Sequence, residues 1–151
     1  MRFIILITLV GCLFSCKAQK DLAGEKMEDL ELVTQDGYSG ITEYEAMVIR
    51  DTKSLNKFYS QINKTRKPRL PVPMVDFSEE IVIVVCMGKQ KGEREPLLSK
   101  INETEDELTI AIELPDQKNT KNKETALILY PFYLYKMPLT AKLPNFQRVG
   151  W

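Results

Sequence analysis

The chain contains no histidine, and few of its other residues are placed to take part in catalysis. Histidine is the commonest general base at neutral pH and the commonest zinc ligand, so its absence removes the usual machinery of serine and cysteine hydrolases. Ser39 is followed by Gly40, but the flanking pattern of a nucleophile elbow is missing and no histidine could activate the hydroxyl. We therefore expect no catalytic serine.

Three carboxylates, Asp76, Glu79 and Glu80, form the densest acidic cluster beside a predicted strand. Paired carboxylates can hydrolyse glycosides or bind calcium, so a carboxylate enzyme is one alternative. However, the spacing matches neither a calcium-binding loop nor a glycine-rich phosphate loop, so we expect either capping or a solvated strand entrance. The sequence thus predicts that the chain is not an enzyme, with no catalytic residue, no metal and no cofactor.

Cys86 is the one cysteine far from the N-terminus. It lies within an apolar run, residues 81–87, and such surroundings raise the pKa of a thiol and make it unreactive. We expect Cys86 to be a buried core residue without a disulfide partner, because Cys12 and Cys16 lie in or beside an N-terminal leader.

The N-terminal residues have the pattern of a secretion signal. Arg2 supplies a positive charge, and residues 3–14 form an apolar stretch shorter than the roughly 20 residues that span a bilayer. Residues 13–16 (LFSC) then resemble a lipobox, in which an aliphatic and a small residue precede the cysteine that becomes acylated. Cys12 ends a similar match, but cleavage there would leave an apolar stretch of only about eight residues. We predict lipidation at Cys16.

These features predict three regions. Residues 1–15 are a lipoprotein signal peptide, residues 16–28 carry the lipid and form a flexible tether, and residues 29–151 form one domain. An ordinary cleaved signal that releases a free protein is the alternative. Phe14 makes the lipobox similar to those of the Bacteroidetes group, and no acidic run follows the cysteine that would resemble the surface-export signal of that group. The expected location is the bacterial cell envelope, on the periplasm-facing side of the outer membrane.

Charge and composition are those of a globular domain. Lys plus Arg and Asp plus Glu both total 21, so nothing in the charge balance favours a nucleic-acid partner. Hydrophobic residues at 44% and charged residues at 28% fit a folded domain better than a disordered or membrane-spanning one. The partner expected from the leader is the membrane, through the N-terminal lipid.

Strands predominate among the predicted elements. Residues 30–34 and 44–50 favour strands, and Asp36 with Gly37 favours a turn between them, so we expect a hairpin. Residues 81–87 form a continuous apolar run, which indicates a central strand covered on both faces. Further strands are predicted at 97–102, 108–114, 125–130 and 132–137, with a polar loop at 115–123.

One helix is predicted after the second strand. Asp51 or Thr52 can cap its N-terminus, and the prolines from Pro68 onward prevent its continuation. The fold class is therefore α+β, a mainly antiparallel β-sheet or sandwich with one packed amphipathic helix. The apolar face of the helix consists of Leu55, Phe58, Tyr59 and Ile62.

Two loop regions are the candidates for binding. Residues 89–96 (KQKGEREP) are highly charged, so we expect them in solvent, where they either close a hairpin or contact a partner. The aromatic residues around Pro131 could form a recognition face, although strand alternation sends about half of them into the core and core packing is the default.

The order of several short motifs extends this interpretation. The chain has Tyr38-Ser39-Gly40-Ile41, then Val75-Asp76-Phe77-Ser78 leading into the apolar run that ends at Gly88, and finally Leu129-Tyr130-Pro131-Phe132. These motifs resemble the protease complex subunit PrcB family over nearly all of the chain after the leader. The resemblance implies a secreted or lipid-anchored accessory domain without catalytic activity, whose expected partner is another envelope protein, for which a protease is one candidate.

The loop after the apolar run departs from the family pattern. The family continues into a Thr-Gly-Gly-Tyr loop, whereas this chain has residues 89–94 (KQKGER). The family loop resembles the one by which chagasin-like inhibitors enter cysteine-protease clefts, so protease inhibition is the alternative to an accessory role. A charged loop enters a narrow cleft less easily, because each buried charge needs a partner. The expected partner-binding residues are Gly88, Lys89, Gly92, Arg94, Tyr130 and Phe132.

Overall fold

The computed structural model describes residues 23–115 and 127–151, which contain one helix and ten strands. The predicted signal peptide, Cys16 and most of the predicted polar loop lie outside the described residues. The elements are β1 (Glu25–Lys26), β2 (Glu31–Asp36), β3 (Tyr44–Ile49), α1 (Thr52–Ile62), β4 (Glu80–Met87), β5 (Gln90–Lys91), β6 (Leu97–Glu103), β7 (Glu107–Glu113), β8 (Ile128–Leu129), β9 (Phe132–Pro138) and β10 (Leu143–Val149).

The strands form two four-stranded sheets and one small ribbon. The sheet that carries the helix, called the helix-covered sheet, has the order β2-β9-β4-β3 and is antiparallel throughout. The outer sheet has the order β1-β6-β7-β10, and only its β7–β10 pair is parallel. Strands β5 and β8 pair as a separate ribbon. The predicted α+β class, with mainly antiparallel sheets and one helix, is confirmed.

Strand β4 lies in the middle of the three layers. Successive side chains of a strand point to opposite faces, so β4 contributes to two cores. One set of its side chains packs with Ile110 and Ile112 of the outer sheet, and the alternate set packs with Leu55 and Phe58 of the helix. Every residue from Ile81 to Met87 is at most 2% exposed. The predicted central strand covered on both faces is confirmed.

Helix α1 packs on the helix-covered sheet through its predicted apolar face. Asp51 is the N-cap, because its carboxylate accepts a hydrogen bond of 2.8 Å from the backbone N–H of Ser54. At the other end, the Asn63 side chain donates to the carbonyl of Leu70 at 2.9 Å and accepts from its N–H at 2.8 Å. These bonds fasten the proline-rich segment to the helix. The buried residues are Leu55, Phe58, Tyr59 and Ile62, as predicted.

Strands β2 and β3 do not form the predicted hairpin. They lie at opposite edges of the helix-covered sheet, where β2 pairs with β9 and β3 pairs with β4. The Asp36 carboxylate accepts from the N–H of Tyr38 at 2.8 Å, and the carbonyl of Gly37 accepts from the N–H of Tyr130 at 3.0 Å. Gly37 lacks the positive φ that a tight two-residue turn requires, so the chain crosses the end of the sheet instead of turning back.

The folded domain begins earlier than predicted. Strand β1 lies within residues 16–28, the predicted tether, yet Glu25 pairs in register with Lys100 of β6. The Lys100 ammonium also lies 3.2 Å from the Glu25 carboxylate. Met27 then packs against the core between the sheets. The boundary at residue 29 is therefore too late, because a short strand of charged residues carries no apolar period in the sequence.

Strand β10 has no counterpart among the predicted elements. Its second residue is Pro144, and proline is unfavourable inside a sheet because it cannot donate a hydrogen bond. Strand β10 lies at the edge of the outer sheet, where a proline is tolerated. The N–H of Leu143 donates to the carbonyl of Asp106 at 2.8 Å, so the next residue, the proline, faces away from β7.

The C-terminus connects the two sheets at one side of the molecule. Gly150 has a φ of 76°, and the Trp151 indole N–H donates to the carbonyl of Ile112 in the outer sheet at 3.0 Å. The indole meets the ring of Tyr44, in the other sheet, edge-on with centroids 4.9 Å apart. The Arg148 guanidinium lies 4.9 Å from the tyrosine centroid and 5.3 Å from the indole centroid. This cluster therefore bridges β3 and β10.

The packing of the helix yields a first prediction. Leu55 is 1% exposed, so Leu55→Ala should lower the free energy of unfolding by about 2–5 kcal/mol, through lost burial and a residual cavity. Lys57→Ala, on the exposed face of the same helix, should change it by less than about 0.5 kcal/mol. Chemical denaturation followed by circular dichroism measures both values. Equal effects of the two substitutions would contradict the assigned orientation of the helix.

Candidate interaction surface

The loop after β4 begins at Gly88, a buried residue with a φ of 66°. A Cβ atom there would lie 2.9 Å from both the carbonyl oxygen of Thr42 and the nitrogen of Tyr44. Backbone conformation and lack of space both require glycine at this position. The expectation that Gly88 contacts a partner is therefore wrong, because the residue packs against the start of β3 and directs the loop that follows.

The charged segment that follows lies only partly in solvent. The Gln90 side chain, 8% exposed, donates to the carbonyl of Met87 at 3.0 Å and accepts from the Arg94 guanidinium at 3.0 Å. The hydroxyl of Tyr133 donates to the carbonyl of Arg94 at 3.1 Å. These bonds hold the segment against the end of the helix-covered sheet, so the expectation of a fully solvated loop is wrong. Lys89 remains exposed.

The same segment pairs with the residues that precede Tyr130. Strand β5 pairs with β8, and the N–H of Gly92, whose φ is 75°, donates to the carbonyl of Leu127 at 2.9 Å. Gly92 thus has the turning role that its residue type suggests. This ribbon exposes two aliphatic side chains, because Leu127 is 71% exposed and Ile128 is 48% exposed.

The structure separates the two aromatic residues that flank Pro131. Phe132 is completely buried and lies edge-on to Phe58 of the helix, with ring centroids 5.5 Å apart. The expectation that Phe132 contacts a partner is therefore wrong. Tyr130 is half-buried and lies edge-on to Tyr38, with ring centroids 6.2 Å apart. Of the two aromatic residues, only Tyr130 is available at the surface.

Tyr38 is held in place by several bonds to its backbone. Its carbonyl accepts a hydrogen bond of 2.6 Å from the Arg66 guanidinium, which also forms an ion pair with Asp36. The neighbouring Ser39 N–H donates to the carbonyl of Tyr130 at 2.7 Å. The ring of Tyr38 is nevertheless 50% exposed. The backbone of Tyr38 is thus held by hydrogen bonds, and its aromatic side chain remains in solvent.

These residues lie on the ribbon and on the neighbouring turns, and we call them the tyrosine–ribbon surface. Its members are joined by the β5–β8 pairing, by the contact between the two tyrosine rings and by the turn at Gly88. Sequence reasoning had identified two of its members and missed three, because exposed and buried apolar residues do not differ in type. The only signal in the sequence was the apolar pair Leu127 and Ile128, which closely follows a long polar loop. The surface consists of Tyr38, Lys89, Leu127, Ile128 and Tyr130.

The two groups that could have been nucleophiles are buried. Ser39 is 1% exposed, and its hydroxyl accepts a hydrogen bond of 3.0 Å from the N–H of Ile41, which gives it a structural role in the turn. Cys86 is completely buried between the helix and the sheet. Burial, with a smaller contribution from Glu45, raises the pKa of its thiol to about 12. The prediction of a buried, unreactive Cys86 is confirmed.

The acidic cluster before β4 makes local bonds. The carbonyl of Asp76 accepts hydrogen bonds from the N–H groups of Glu79 at 3.0 Å and Glu80 at 2.8 Å. Its carboxylate accepts from the side chain and backbone of Ser78, and these bonds lower the pKa of Asp76. Glu80 forms an ion pair of 3.1 Å with Lys136. The predicted capping role at the strand entrance is confirmed.

Three further findings concern metal binding, membrane-spanning helices and similarity to known proteins. Within residues 23–115 and 127–151, no group of three or more histidine, cysteine, aspartate and glutamate residues is arranged to hold a metal ion. No helix in this part of the chain is long and apolar enough to cross a membrane. Comparison of the chain with protein-family models, curated proteins and solved structures gives no match.

Tyr133, which anchors the loop, yields a prediction about pH. Burial, with smaller contributions from Glu93 and Glu95, raises the pKa of Tyr133 from 10.0 to about 12. Folding favours the neutral phenol, so this contribution to stability is complete below pH 10.0 and is lost as the pH rises towards 12. Between pH 10.0 and about 12, the free energy of unfolding should therefore fall less in Tyr133→Phe than in the parent chain.

The same substitution should lower the free energy of unfolding by about 1 kcal/mol at neutral pH, because the hydrogen bond to the Arg94 carbonyl is lost. Urea denaturation at a series of pH values measures both effects. Tyr38→Phe is the matched control at an exposed position and should change the neutral-pH value by less than about 0.5 kcal/mol. An unchanged pH dependence in Tyr133→Phe would contradict the assignment.

Proposed function

We propose that this chain is a lipid-anchored, non-catalytic interaction domain of the bacterial cell envelope, which binds another envelope protein through the tyrosine–ribbon surface. The observation that carries the proposal is the exposure of Tyr38, Leu127 and Ile128 on segments that meet at the half-buried Tyr130, whose ring contacts that of Tyr38. Contiguous apolar groups on a protein surface are typical of sites that another molecule covers. Tyrosine is also among the residues enriched at the energetic centres of interfaces.

The anchoring of these side chains supports the proposal. Binding is weakened when loops must become ordered, so a surface that is already held by hydrogen bonds loses less conformational entropy. The Tyr38 backbone is fixed by Arg66, and the ribbon is fixed by Gln90 and Tyr133. The exposed Lys89, together with Glu93 and Glu95, adds a polar margin beside the apolar residues, as interfaces commonly have.

The class of partner rests on the resemblance to the PrcB family, which implies a protease complex. An accessory role is preferred to direct inhibition, because the loop after Gly88 is bonded along its length to the sheet and to the ribbon. Inhibitors of the chagasin type insert a loop into a narrow cleft, whereas this loop presents the exposed charges of Lys89, Glu93 and Glu95. Each of these charges would have to be paired or remain in water.

The proposed anchor limits where the partner can be. Eight residues lie between Cys16 and Glu25, the first residue of β1, so even a fully extended segment would reach only about 30 Å. A domain held this close to the membrane encounters proteins that are attached to the same membrane at high effective concentration. A modest interaction surface is sufficient under these conditions.

The anchor yields a prediction that distinguishes the two N-terminal cysteines. Cys16→Ser should abolish incorporation of labelled palmitate and release the protein from the membrane fraction. Cys12→Ser is the matched control and should retain the label, because the predicted lipobox ends four residues later. Mass spectrometry of the mature N-terminus provides a second measurement. An unmodified N-terminal peptide that begins at residue 16 or 17 would refute the lipid and leave the secretion signal intact.

The interaction surface is tested by in-cell cross-linking and recovery of the full-length chain. Ile128→Glu should reduce recovery of the cross-linked envelope protein at least about tenfold, since the few residues at the centre of an interface each contribute about 2 kcal/mol or more. Met74→Glu is the matched control, because Met74 is 100% exposed and lies outside the tyrosine–ribbon surface. It should leave recovery unchanged.

Equal recovery by both variants would rule out this surface as the binding site.

Incubation of the protein with representative cysteine and serine proteases tests the alternative, direct protease inhibition. Slowed hydrolysis that is relieved by Ile128→Glu would replace the accessory role with direct inhibition.

A further inference from the structure

The two sheets end in four edge strands, and three of these carry features that prevent pairing with another strand. Strand β2 has a register irregularity between Leu32 and Thr34. Strand β1 is only two residues long, and β10 carries Pro144 at a position that faces away from its neighbour. Bulges, short length and proline are the common means of protecting an exposed sheet edge.

Strand β3 has none of these features. Its six residues, from Tyr44 to Ile49, pair with β4 in unbroken register and include no proline. Glu45 is its only charged residue. Tyrosine, methionine, valine and isoleucine all suit a pleated strand, so β3 is the least protected edge among the described residues.

The hydrogen-bond pattern of the sheet identifies the unpaired groups of β3. The N–H of Met87 donates to the carbonyl of Pro131, so β4 uses its odd-numbered residues to bond with β9. Hydrogen-bonded pairs alternate along an antiparallel ladder, so β4 bonds to β3 through its even-numbered residues. These lie opposite the odd-numbered residues of β3. The backbone groups of Tyr44, Ala46 and Val48 therefore point away from the sheet, and no described residue pairs with them.

We propose that β3 of a second copy of this chain pairs with β3 in antiparallel orientation, which joins the two helix-covered sheets into one continuous sheet. The register follows from the pattern of free groups, because hydrogen-bonded pairs must match even-numbered residues with even-numbered residues. A two-fold axis at Met47 satisfies this rule. It places Ala46 opposite Val48 and Tyr44 opposite Arg50 of the second copy.

The alternative registers are less favourable. Within Tyr44–Arg50, an axis at Val48 would form three hydrogen-bonded pairs instead of four, and it would place Glu45 opposite Asp51 of the second copy, where like charges are destabilising. An axis at Ala46 would also form only three pairs within this stretch, since Arg50 would have no partner there. The axis at Met47 therefore gives the most hydrogen-bonded pairs and opposes no like charges within Tyr44–Arg50; Glu43 lies opposite Asp51 of the second copy only beyond this stretch. This self-complementarity is the reason for assigning a second copy as the occupant.

The side chains at the axis also match. Met47 packs against the core beneath the helix and is half-buried, so two methionines would meet across the axis and complete each other's burial. Methionine is flexible and fills irregular apolar gaps well. Glu45 would lie opposite Ile49 of the second copy, at the border of this contact, where its carboxylate remains in water. The inference is independent of the tyrosine–ribbon surface, to which β3 does not belong.

Disulfide cross-linking of the full-length chain in its membranes tests the register. In Met47→Cys, the two introduced cysteines would form a non-hydrogen-bonded pair with Cα atoms roughly 4.5 Å apart, within the range that a disulfide bridges. Oxidation should therefore convert this variant to a reducible dimer on a denaturing gel. In Glu45→Cys, the two cysteines would be roughly 14 Å apart and should remain unlinked. The parent chain gives the background from the native cysteines.

No dimer from Met47→Cys, or equal amounts from both variants, would overturn the proposal. A second measurement uses the molecular mass of the detergent-solubilised chain by light scattering. Val48→Pro removes an N–H that points out of the sheet and should halve the protein mass relative to the parent. Gln35→Pro is the matched control, because Gln35 is exposed on the opposite edge strand and its N–H also points outward, so the mass should be unchanged. A parent chain that is already monomeric at micromolar concentration would also overturn the proposal.

Discussion

The burial of β4 on both faces is the constraint on which the rest of this structure depends. From Ile81 to Met87 the strand consists only of valine, isoleucine, cysteine and methionine, so this stretch cannot have a wet face and needs one layer above it and another below it. Complete burial of each such side chain contributes about 1.5–3 kcal/mol. The strand as a whole therefore contributes an amount comparable with the net stability of a domain, about 5–15 kcal/mol. The helix and the outer sheet are the two layers that meet this need.

The same constraint organises the surface at one end of the molecule. Because β4 and β9 are buried along most of their length, their connecting segments emerge at the ends of the sheet. The turn at Gly88 and the bend at Pro131 lie side by side there, joined by the hydrogen bond between Met87 and Pro131. Loops that are rigidly based in this way can hold exposed side chains in fixed positions, which is the usual relation between a scaffold and a binding site.

Elements with a strong local pattern were predictable from the sequence, and elements set by distant contacts were not. The apolar run of β4 and the four-residue stripe of α1 are complete within a few residues, so both were predicted correctly. The β2–β3 hairpin was wrong because the Asp36-Gly37 signal is local, whereas the partner of β2 is β9, about a hundred residues away in sequence. At the candidate surface, residue type could not distinguish Tyr130 from Phe132, since Pro131 interrupts the alternation that would have assigned their faces.

The aromatic and cationic cluster at the C-terminus has a practical consequence. Trp151 is the only tryptophan in the chain, so the intrinsic fluorescence excited selectively in indole arises from this one position. Its environment is defined by one residue of each sheet, Tyr44 on one side and Arg148 on the other. The protein thus carries a built-in optical reporter of the seam between its sheets, whose emission responds to the contacts made there by Tyr44, Arg148 and the carbonyl of Ile112.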